Sequence, residues 1–298
     1  MKKNTSRRDF IKISAGSLLA ATGVGAEAVG AEAADLQPIK KGILINMLPK
    51  DLSYLERFKL AREVGFEVVQ AETVSDRKEA EAILRASEAA KLPIDSVMNM
   101  DHWKYPLTSR DPAVVEKSLA GMRTSLDNAK QWGGGAVLLV PGVVTPEVSY
   151  EEAWRRSQRQ IRKLIPLAER LEVVIAIEEV WNKFLLSPLE MAHYLDEFDS
   201  PWVQSWFDVG NVVLYGYPQD WIRTLGPRIN RLHVKDFKMS KNCYEWVNIG
   251  EGAIDWPAVR QALAAIGYRG SATCELPAGN EAYLRDVSQR VNHYVLGI

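Results

Sequence analysis

Short apolar runs alternate with longer segments that carry apolar residues at helical spacing along most of the chain. Runs of strand length between segments of helix length are typical of repeated strand-helix units. The runs predict eight strands, near residues 42–47, 66–72, 94–100, 137–140, 173–177, 205–211, 231–236 and 271–275. The longer segments predict eight helices, over residues 53–64, 77–91, 112–132, 150–171, 188–198, 220–225, 256–266 and 281–296.

Eight strand-helix pairs over about 255 residues match the count and length of a closed α/β barrel, the (β/α)8 TIM barrel. The rival fold is a doubly wound open sheet, but the Gly-rich turn that such sheets carry after their first strand is missing here. No linker or composition shift divides the pattern, so we expect residues 34–298 to form a single barrel. Active sites of such barrels lie at the C-terminal ends of the strands.

Residues 1–33 differ from the rest and are interpreted as a targeting segment. The Arg7-Arg8 pair and the Ala/Gly-rich apolar run at 13–25 resemble a twin-arginine export signal, and residues 26–28 and 31–33 offer small-x-small cleavage sites. The run is too short for stable membrane insertion. The resemblance implies recognition by the twin-arginine export machinery and a periplasmic location. Because that route carries folded proteins, it also suggests a bound metal or cofactor.

The composition narrows the classes of partner. With 47% hydrophobic and 25% charged residues and a formal net charge of −1, the chain is typical of a soluble globular protein. No basic excess favours nucleic acid or an anionic membrane surface, so neither is expected as a partner. The two cysteines, Cys243 and Cys274, allow at most one disulfide. Strand parity places Cys274 on the apolar outer face, where we expect a buried thiol.

Four strand ends carry polar side chains on the face that strand alternation turns away from the bulky residues. These side chains are Glu178, Asp208, His233 and Glu275. Three carboxylates and one imidazole that meet at a barrel mouth raise each other's pKa unless a cation joins them. An oxygen-rich ligand set with one His and no thiolate suits Mn²⁺, our preferred ion, or Mg²⁺ or Co²⁺, and Zn²⁺ is an alternative.

Several motifs together give the chain a family resemblance. They are IEEVWN at 177–182, FDVGN at 207–211, HVKD at 233–236, GEGAIDW at 250–256 and CE at 274–275. With these motifs the chain after the export segment resembles the xylose isomerase-like barrels, specifically the sugar phosphate isomerase/epimerase group. The resemblance implies that Glu178, Asp208, His233 and Glu275 bind one divalent metal ion. It also makes a homodimer or homotetramer the expected assembly.

The same resemblance implies catalysis by Glu178 and Glu275, which in ketose 3-epimerases move protons on opposite faces of a sugar. Removal of a proton beside a metal-polarised carbonyl gives an enediolate, and its return yields an epimer or an isomer. The expected function is therefore metal-dependent isomerisation or epimerisation of a keto sugar or related polyol. A lyase or hydrolase of 3-keto glycosides, and a non-catalytic periplasmic sugar-binding protein, are the alternatives. A DNA-repair endonuclease on this fold is disfavoured because the chain has only four His and no basic stripe.

Further residues are candidates for contact with the carbohydrate substrate. They are Glu72, His102, Trp181, Asn211, Lys235 and Glu251. Lys235 shares the strand face of His233, whereas parity directs Glu179 towards the helix layer in a structural role. Two positions depart from the ketose 3-epimerases, because Asn211 stands where they carry a substrate-binding His and Met239 where they carry an Arg. These departures, and the export segment, weaken the case for a simple free ketose or a sugar phosphate.

Overall fold

Eight parallel strands close into a barrel in the computed structural model, which describes residues 39–99, 101–240 and 243–298. These eight are β1 (Lys40–Leu44), β2 (Val68–Glu72), β3 (Ile94–Met98), β4 (Ala136–Leu139), β5 (Val174–Glu178), β6 (Val203–Asp208), β7 (Ile229–Val234) and β10 (Ser271–Cys274). A separate two-stranded sheet consists of β8 (Asp236–Ser240) and β9 (Cys243–Val247). β1 to β7 follow in chain order and β10 closes the ring between β7 and β1. The predicted TIM barrel is therefore confirmed. The segment interpreted as an export signal, residues 1–33, lies outside the described residues.

Nine α-helices of the described residues accompany the strands. They are α1 (Tyr54–Glu63), α2 (Arg77–Ala90), α3 (Pro112–Trp132), α4 (Tyr150–Arg162), α5 (Ile165–Leu171), α6 (Pro188–Asp196), α7 (Pro218–Leu225), α8 (Trp256–Ala265) and α9 (Glu281–Arg290). Side chains that accept hydrogen bonds from the first turn fix several of their starts. Ser53 and Ser149 each form a reciprocal capping box, with Glu56 and Glu152. Within the described residues no helix has the length and apolar character needed to cross a membrane.

The predicted boundaries are wrong at several places. The strands predicted at 205–211 and 231–236 are β6 (Val203–Asp208) and β7 (Ile229–Val234). The helix predicted at 150–171 is two helices, because Pro166 lacks an N–H and its ring excludes the carbonyl of Arg162 from a continuous helix. The first strand ends at Leu44 and continues as a 3₁₀ turn (Ile45–Met47). The last predicted helix, 281–296, ends as α9 at Arg290 and continues in π-helical geometry.

Strand alternation divides the apolar residues into two cores, as parity predicts. Ile175 and Ile177 of β5 belong to the large core between strands and helices. Ala176 of the same strand belongs to a small cluster in the barrel interior, with Trp206 of β6. Cys274 is a buried free thiol on the outer side, as expected, and burial raises its pKa to about 12. The interior faces therefore leave the strand ends free for polar side chains.

An antiparallel hairpin follows β7 and is absent from the predicted elements. Its strands, β8 and β9, pair Phe237 with Trp246 and Asp236 with Val247. Large apolar or aromatic residues recur at every second position of each strand, Phe237 and Met239 on β8 and Tyr244 and Trp246 on β9. This period of two is the pattern that marks β-strands. The hairpin lies immediately after Lys235 and so beside the C-terminal ends of the barrel strands.

Asp236 ties the base of this hairpin to the following loop. Its fully buried carboxylate accepts hydrogen bonds from Gly250 N at 2.9 Å, Trp256 Nε1 at 3.0 Å and its own neighbour Phe237 N at 2.9 Å. A Cβ on Gly252 would lie 2.0 Å from Asp236 Oδ1, so glycine is required at that position. The GEGAIDW motif is thus a turn folded around one carboxylate.

We expect Asp236→Ala to lower the free energy of unfolding by about 3 kcal/mol, because it leaves several buried N–H donors without an acceptor. Urea denaturation followed by circular dichroism measures the change. Lys238→Ala, at an exposed position on the same strand, is the matched control and should stay within about 0.5 kcal/mol of the parent protein. Equal stability of the Asp236→Ala variant and the control would show that the network contributes little.

Candidate metal centre

The four predicted ligand residues meet at one point of the barrel mouth. Glu178 and Asp208 are the last residues of β5 and β6, His233 is the penultimate residue of β7, and Glu275 follows β10 directly. Each offers one ligand atom, and these atoms all lie within 4.8 Å of one another. The first three side chains are buried, and the Glu275 side chain is 29% exposed. The neighbouring C-terminal strand ends of a parallel barrel thus bring together residues far apart in sequence.

Gln70 of β2 fixes the imidazole of His233. His233 Nε2 donates to Gln70 Oε1 at 2.7 Å, which leaves Nδ1 facing the carboxylates. Nδ1 lies 2.8 Å from Glu178 Oε1 and 3.6 Å from Glu275 Oε2. Trp206 packs edge-on beneath the ring, with 4.9 Å between ring centroids. Sequence reasoning missed Gln70, although it shares the inward parity of Glu72 on the same strand.

Backbone hydrogen bonds orient Asp208. Its Oδ1 accepts from Gly210 N at 2.8 Å and Asn211 N at 3.0 Å, so Oδ2 is the oxygen that faces the cluster. Glu179 supports this arrangement from below: its Oε1 accepts from Asp208 N at 2.9 Å, and its carbonyl accepts from Asn211 Nδ2 at 2.9 Å. Burial and the neighbouring Glu178 raise the pKa of Glu179 well above its usual value. Glu179 is therefore a buried support of Asp208.

The electrostatics of the cluster are those of crowded like charges. Burial raises the pKa of Glu178 to about 7, even though His233 counteracts it. Burial also acts to raise the pKa of Glu275, but His233 and Lys235 outweigh it and hold that pKa at about 2. Burial alone would lower the pKa of His233, yet Glu275 and Glu178 raise it. The site therefore favours positive charge at its centre.

Lys235 supplies part of that positive charge. Its Nζ lies 2.8 Å from Asp208 Oδ2 and 2.5 Å from Glu275 Oε2. Burial opposes the ammonium form, but the carboxylates of Asp208 and Glu275 outweigh burial and raise the pKa of Lys235. The ammonium thus lies between two of the four predicted ligand residues and balances part of their negative charge.

The residues of the cluster fit a divalent cation. Asp208 presents one free-facing oxygen, His233 presents Nδ1 because Gln70 holds its other nitrogen, and Glu178 and Glu275 add carboxylate oxygens. Three oxygen donors and one nitrogen donor, without thiolate, match Mn²⁺, Mg²⁺, Co²⁺ or Zn²⁺. A hydrogen-bonded second nitrogen is the usual support of a metal-binding histidine.

The cavity at the cluster measures 270 Å³. It is lined by Met98, His102, Trp103, Leu138, Glu178, Val180, Trp181, Asn211, Lys235, Trp246 and Glu275. Four of the predicted substrate-binding residues are therefore at this cavity: His102, Trp181, Asn211 and Lys235. Burial lowers the pKa of His102 to about 4, and its Nδ1 has no hydrogen-bond partner among the described residues.

The other two predicted substrate-binding residues are not among those that line the cavity. Glu251 pairs with Arg290 at 2.8 Å. Glu72 ends β2 and accepts a hydrogen bond from Asn46 Nδ2. Trp246, which sequence reasoning missed, does line the cavity because the hairpin carries it there. Met239 on the same hairpin is 46% exposed and is not a lining residue.

Comparison with known proteins agrees with this geometry. Residues 58–291 match the model of a family described as xylose isomerase-like TIM barrel. The L-ribulose-5-phosphate 3-epimerase UlaE of Escherichia coli O1:K1 / APEC is 28% identical over 268 residues, which cover 83% of this chain and 93% of that protein. The relatives of this chain are thus sugar epimerases.

Two solved structures show the same fold. A D-tagatose 3-epimerase-like protein is 18% identical with a TM-score of 0.75, over 86% of this chain and 97% of that one. A xylose isomerase-like TIM barrel protein from Mycobacterium smegmatis, in complex with magnesium, is 18% identical with a TM-score of 0.66, over 87% and 98%. At these identities the likeness supports the architecture alone.

We expect Asp208→Asn to weaken Mn²⁺ binding by about a hundredfold or more, because it removes a charged ligand. Isothermal titration calorimetry on the full chain measures the dissociation constant. Glu169→Gln, at an exposed position of α5, is the control and should bind Mn²⁺ as the parent protein does.

Mn²⁺ binding to the parent protein should also weaken as pH falls below about 7, because the protonated carboxyl of Glu178 is not a ligand. Affinity that is unchanged between pH 7.5 and 6 would contradict this arrangement.

We expect Gln70→Leu to weaken Mn²⁺ binding by about tenfold, because His233 loses the acceptor that orients its ring. Gln70→Glu keeps an acceptor oxygen and should retain most of the affinity. Calorimetry and thermal denaturation are recorded together for both variants. A loss of thermal stability in Gln70→Leu without loss of affinity would assign Gln70 to packing alone.

Proposed function

This chain belongs to the xylose isomerase-like TIM barrel family, and from that premise we propose that it is a divalent-metal-dependent sugar epimerase or isomerase. The observation that carries the proposal is the convergence of Glu178, Asp208, His233 and Glu275 at one point, with Glu178 and Glu275 also lining the cavity. The activity of the relatives, which are sugar epimerases, supports it. The alternative of a binding protein gives no reason for two glutamates of this cluster to line the cavity.

Glu178 and Glu275 are the proposed proton-transfer residues. Both line the cavity, and both lie beside Nδ1 of His233, at 2.8 and 3.6 Å. A cation held by the four ligands would polarise a substrate carbonyl as a Lewis acid. One glutamate takes the proton from the carbon beside the carbonyl, and the C–H electron pair moves into the enediolate. The other glutamate, which enters the step protonated, gives its proton to the opposite face and is left as a carboxylate, which inverts the carbon without net oxidation.

Three further residues are proposed to position the sugar. His102 is neutral near pH 7 because burial lowers its pKa to about 4, so its ring nitrogens suit hydroxyl groups. Lys235 can donate to a substrate oxygen from its place between Asp208 and Glu275. Asn211 has one amide N–H engaged by the Glu179 carbonyl, so its side-chain oxygen and its second N–H remain for substrate hydroxyl groups.

The cellular location of the protein is a separate part of the proposal. The Arg7-Arg8 segment supports export by the twin-arginine route and a periplasmic reaction. A reaction there favours substrates that exist outside the cytoplasm. Comparison of the cellular fractions of the producing organism by immunoblot, with Arg7→Lys/Arg8→Lys as the matched control, tests the address separately from the chemistry.

We expect the Mn²⁺-loaded protein to catalyse the exchange of deuterium from D₂O into its sugar substrate, at the carbon beside the carbonyl. Glu178→Gln and Glu275→Gln should each lower the exchange rate by about a thousandfold, the range that general acid–base catalysis contributes. Nuclear magnetic resonance on a panel of ketoses and 3-keto glycosides measures exchange and identifies the product. Glu169→Gln is the control, and a chelator should abolish exchange.

The outcomes separate the competing functions. An epimer or isomer as product supports the proposal, whereas release of an aglycone assigns a lyase or hydrolase. Near-parental exchange in either glutamate variant would remove that residue from the mechanism. Tight sugar binding without exchange would overturn the enzymatic proposal in favour of a binding protein.

A further inference from the structure

Three large aromatic side chains stand at the mouth of the cavity and remain open to solvent. Trp103, Trp181 and Trp246 are 58%, 41% and 42% exposed, although all three line the cavity. They come from three separate segments, after β3, after β5 and on β9. Exposed aromatic surface grouped around a cavity marks a site where a ligand packs.

Two of these rings are held in a defined position before any ligand binds. Trp181 Nε1 donates to the Asn211 carbonyl at 2.9 Å. The rings of Trp181 and Trp246 stack at 4.9 Å with 29° between their planes, and both contact Phe237. Lys235 Nζ lies 4.7 Å from the centre of the Trp246 ring. Because the rings of Trp181 and Trp246 are already fixed, a flat or ring-shaped partner can stack on them with little loss of side-chain entropy.

The charges around the cavity do not suit a phosphate. Lys235 is the only cation among the described lining residues, and it already pairs with Asp208 and Glu275. His102 is neutral near pH 7 because of its burial. Phosphate recognition requires cationic side chains or a set of free backbone N–H groups. The surface formed by Trp103, Trp181 and Trp246 therefore fits an uncharged group of the substrate.

The size of the cavity indicates where an uncharged group of the substrate would lie. Its volume of 270 Å³ is below the range of about 300–1,000 Å³ that holds drug-sized ligands. A single sugar ring at the carboxylate cluster leaves little further room. A substituent on that ring would extend through the mouth and meet the exposed faces of Trp103 and Trp246.

From these observations we propose that the substrate is a glycoside rather than a free or phosphorylated sugar. Its oxidised, uncharged sugar ring occupies the cavity, and a second ring, sugar or aglycone, stacks on the wall formed by Trp103, Trp181 and Trp246. This inference rests on the proposed function for the reaction itself. It concerns the part of the substrate that lies away from the reacting carbon.

The test compares four probes in the deuterium-exchange assay with the Mn²⁺-loaded full chain. The probes are 3-keto-D-glucose, its phenyl β-glycoside, L-ribulose and L-ribulose 5-phosphate. We expect the phenyl glycoside to exchange with a kcat/KM about tenfold above that of the free 3-keto sugar, because of ring stacking. The phosphate should give no advantage over L-ribulose.

Two variants locate the effect. Trp246→Ala should remove the advantage of the phenyl glycoside, so that its kcat/KM falls about tenfold more than the kcat/KM of the free 3-keto sugar. Tyr244→Ala changes an exposed aromatic residue on the same strand that does not line the cavity, so it controls for damage to the hairpin. It should leave both substrates as in the parent.

Opposite results overturn the inference. A preference for L-ribulose 5-phosphate over L-ribulose, or an equal effect of Trp246→Ala on the free and the substituted sugar, would assign the tryptophans no role in substrate choice. If no probe exchanges, the proposed reaction fails and calorimetric binding of the same probes decides. Tighter binding of the phenyl glycoside that is lost in Trp246→Ala then supports the wall, and equal or undetectable binding overturns it.

Discussion

Mutual repulsion among buried carboxylates is the constraint around which this structure is arranged. Glu178, Asp208 and Glu275 surround a single imidazole at the mouth of the barrel, where little water can screen them. Each is restrained by a different neighbour: Asp208 by backbone N–H groups, Glu275 by Lys235 and Glu178 by His233. The same repulsion is relieved by positive charge at the centre, so the cluster suits a cation. A cation bound there would offset the cost of burying the three carboxylates.

The supporting residues keep this cluster in place without taking part in it. Gln70 selects the nitrogen that His233 presents, and Glu179 holds the backbone of Asp208 from below. Asp236 folds the following loop around its carboxylate and so positions the hairpin that bears Trp246. The candidate ligand residues therefore come from the barrel strands, whereas the tryptophans proposed to contact the rest of a substrate come from loops and from the hairpin. This division is typical of TIM barrels, whose loops vary while the strands stay regular.

Most of the barrel, and the convergence of Glu178, Asp208, His233 and Glu275 at its mouth, were predictable because both depend on local periodicity. Alternation along β5 and β7 fixes which side chains face inward, and the end of each apolar run marks the barrel mouth. Loop geometry was not predictable in this way. Glu251 and Glu72 were expected at the substrate and are not among the residues that line the cavity, whereas Trp246 is there because of a hairpin that was not predicted. The role of Gln70 was not predictable either, because it depends on a contact in space with His233, which is 163 residues later in the sequence.

The position of the last barrel strand has a consequence for the order of events during biosynthesis. β10 closes the ring by pairing with both β1 and β7, and Glu275 follows it directly. A nascent chain that has emerged only through β7 carries three of the ligand residues but neither the fourth nor a closed barrel. The complete coordination set therefore forms only after nearly the whole polypeptide has been translated. An ion that requires all four residues would therefore bind late in the maturation of the protein.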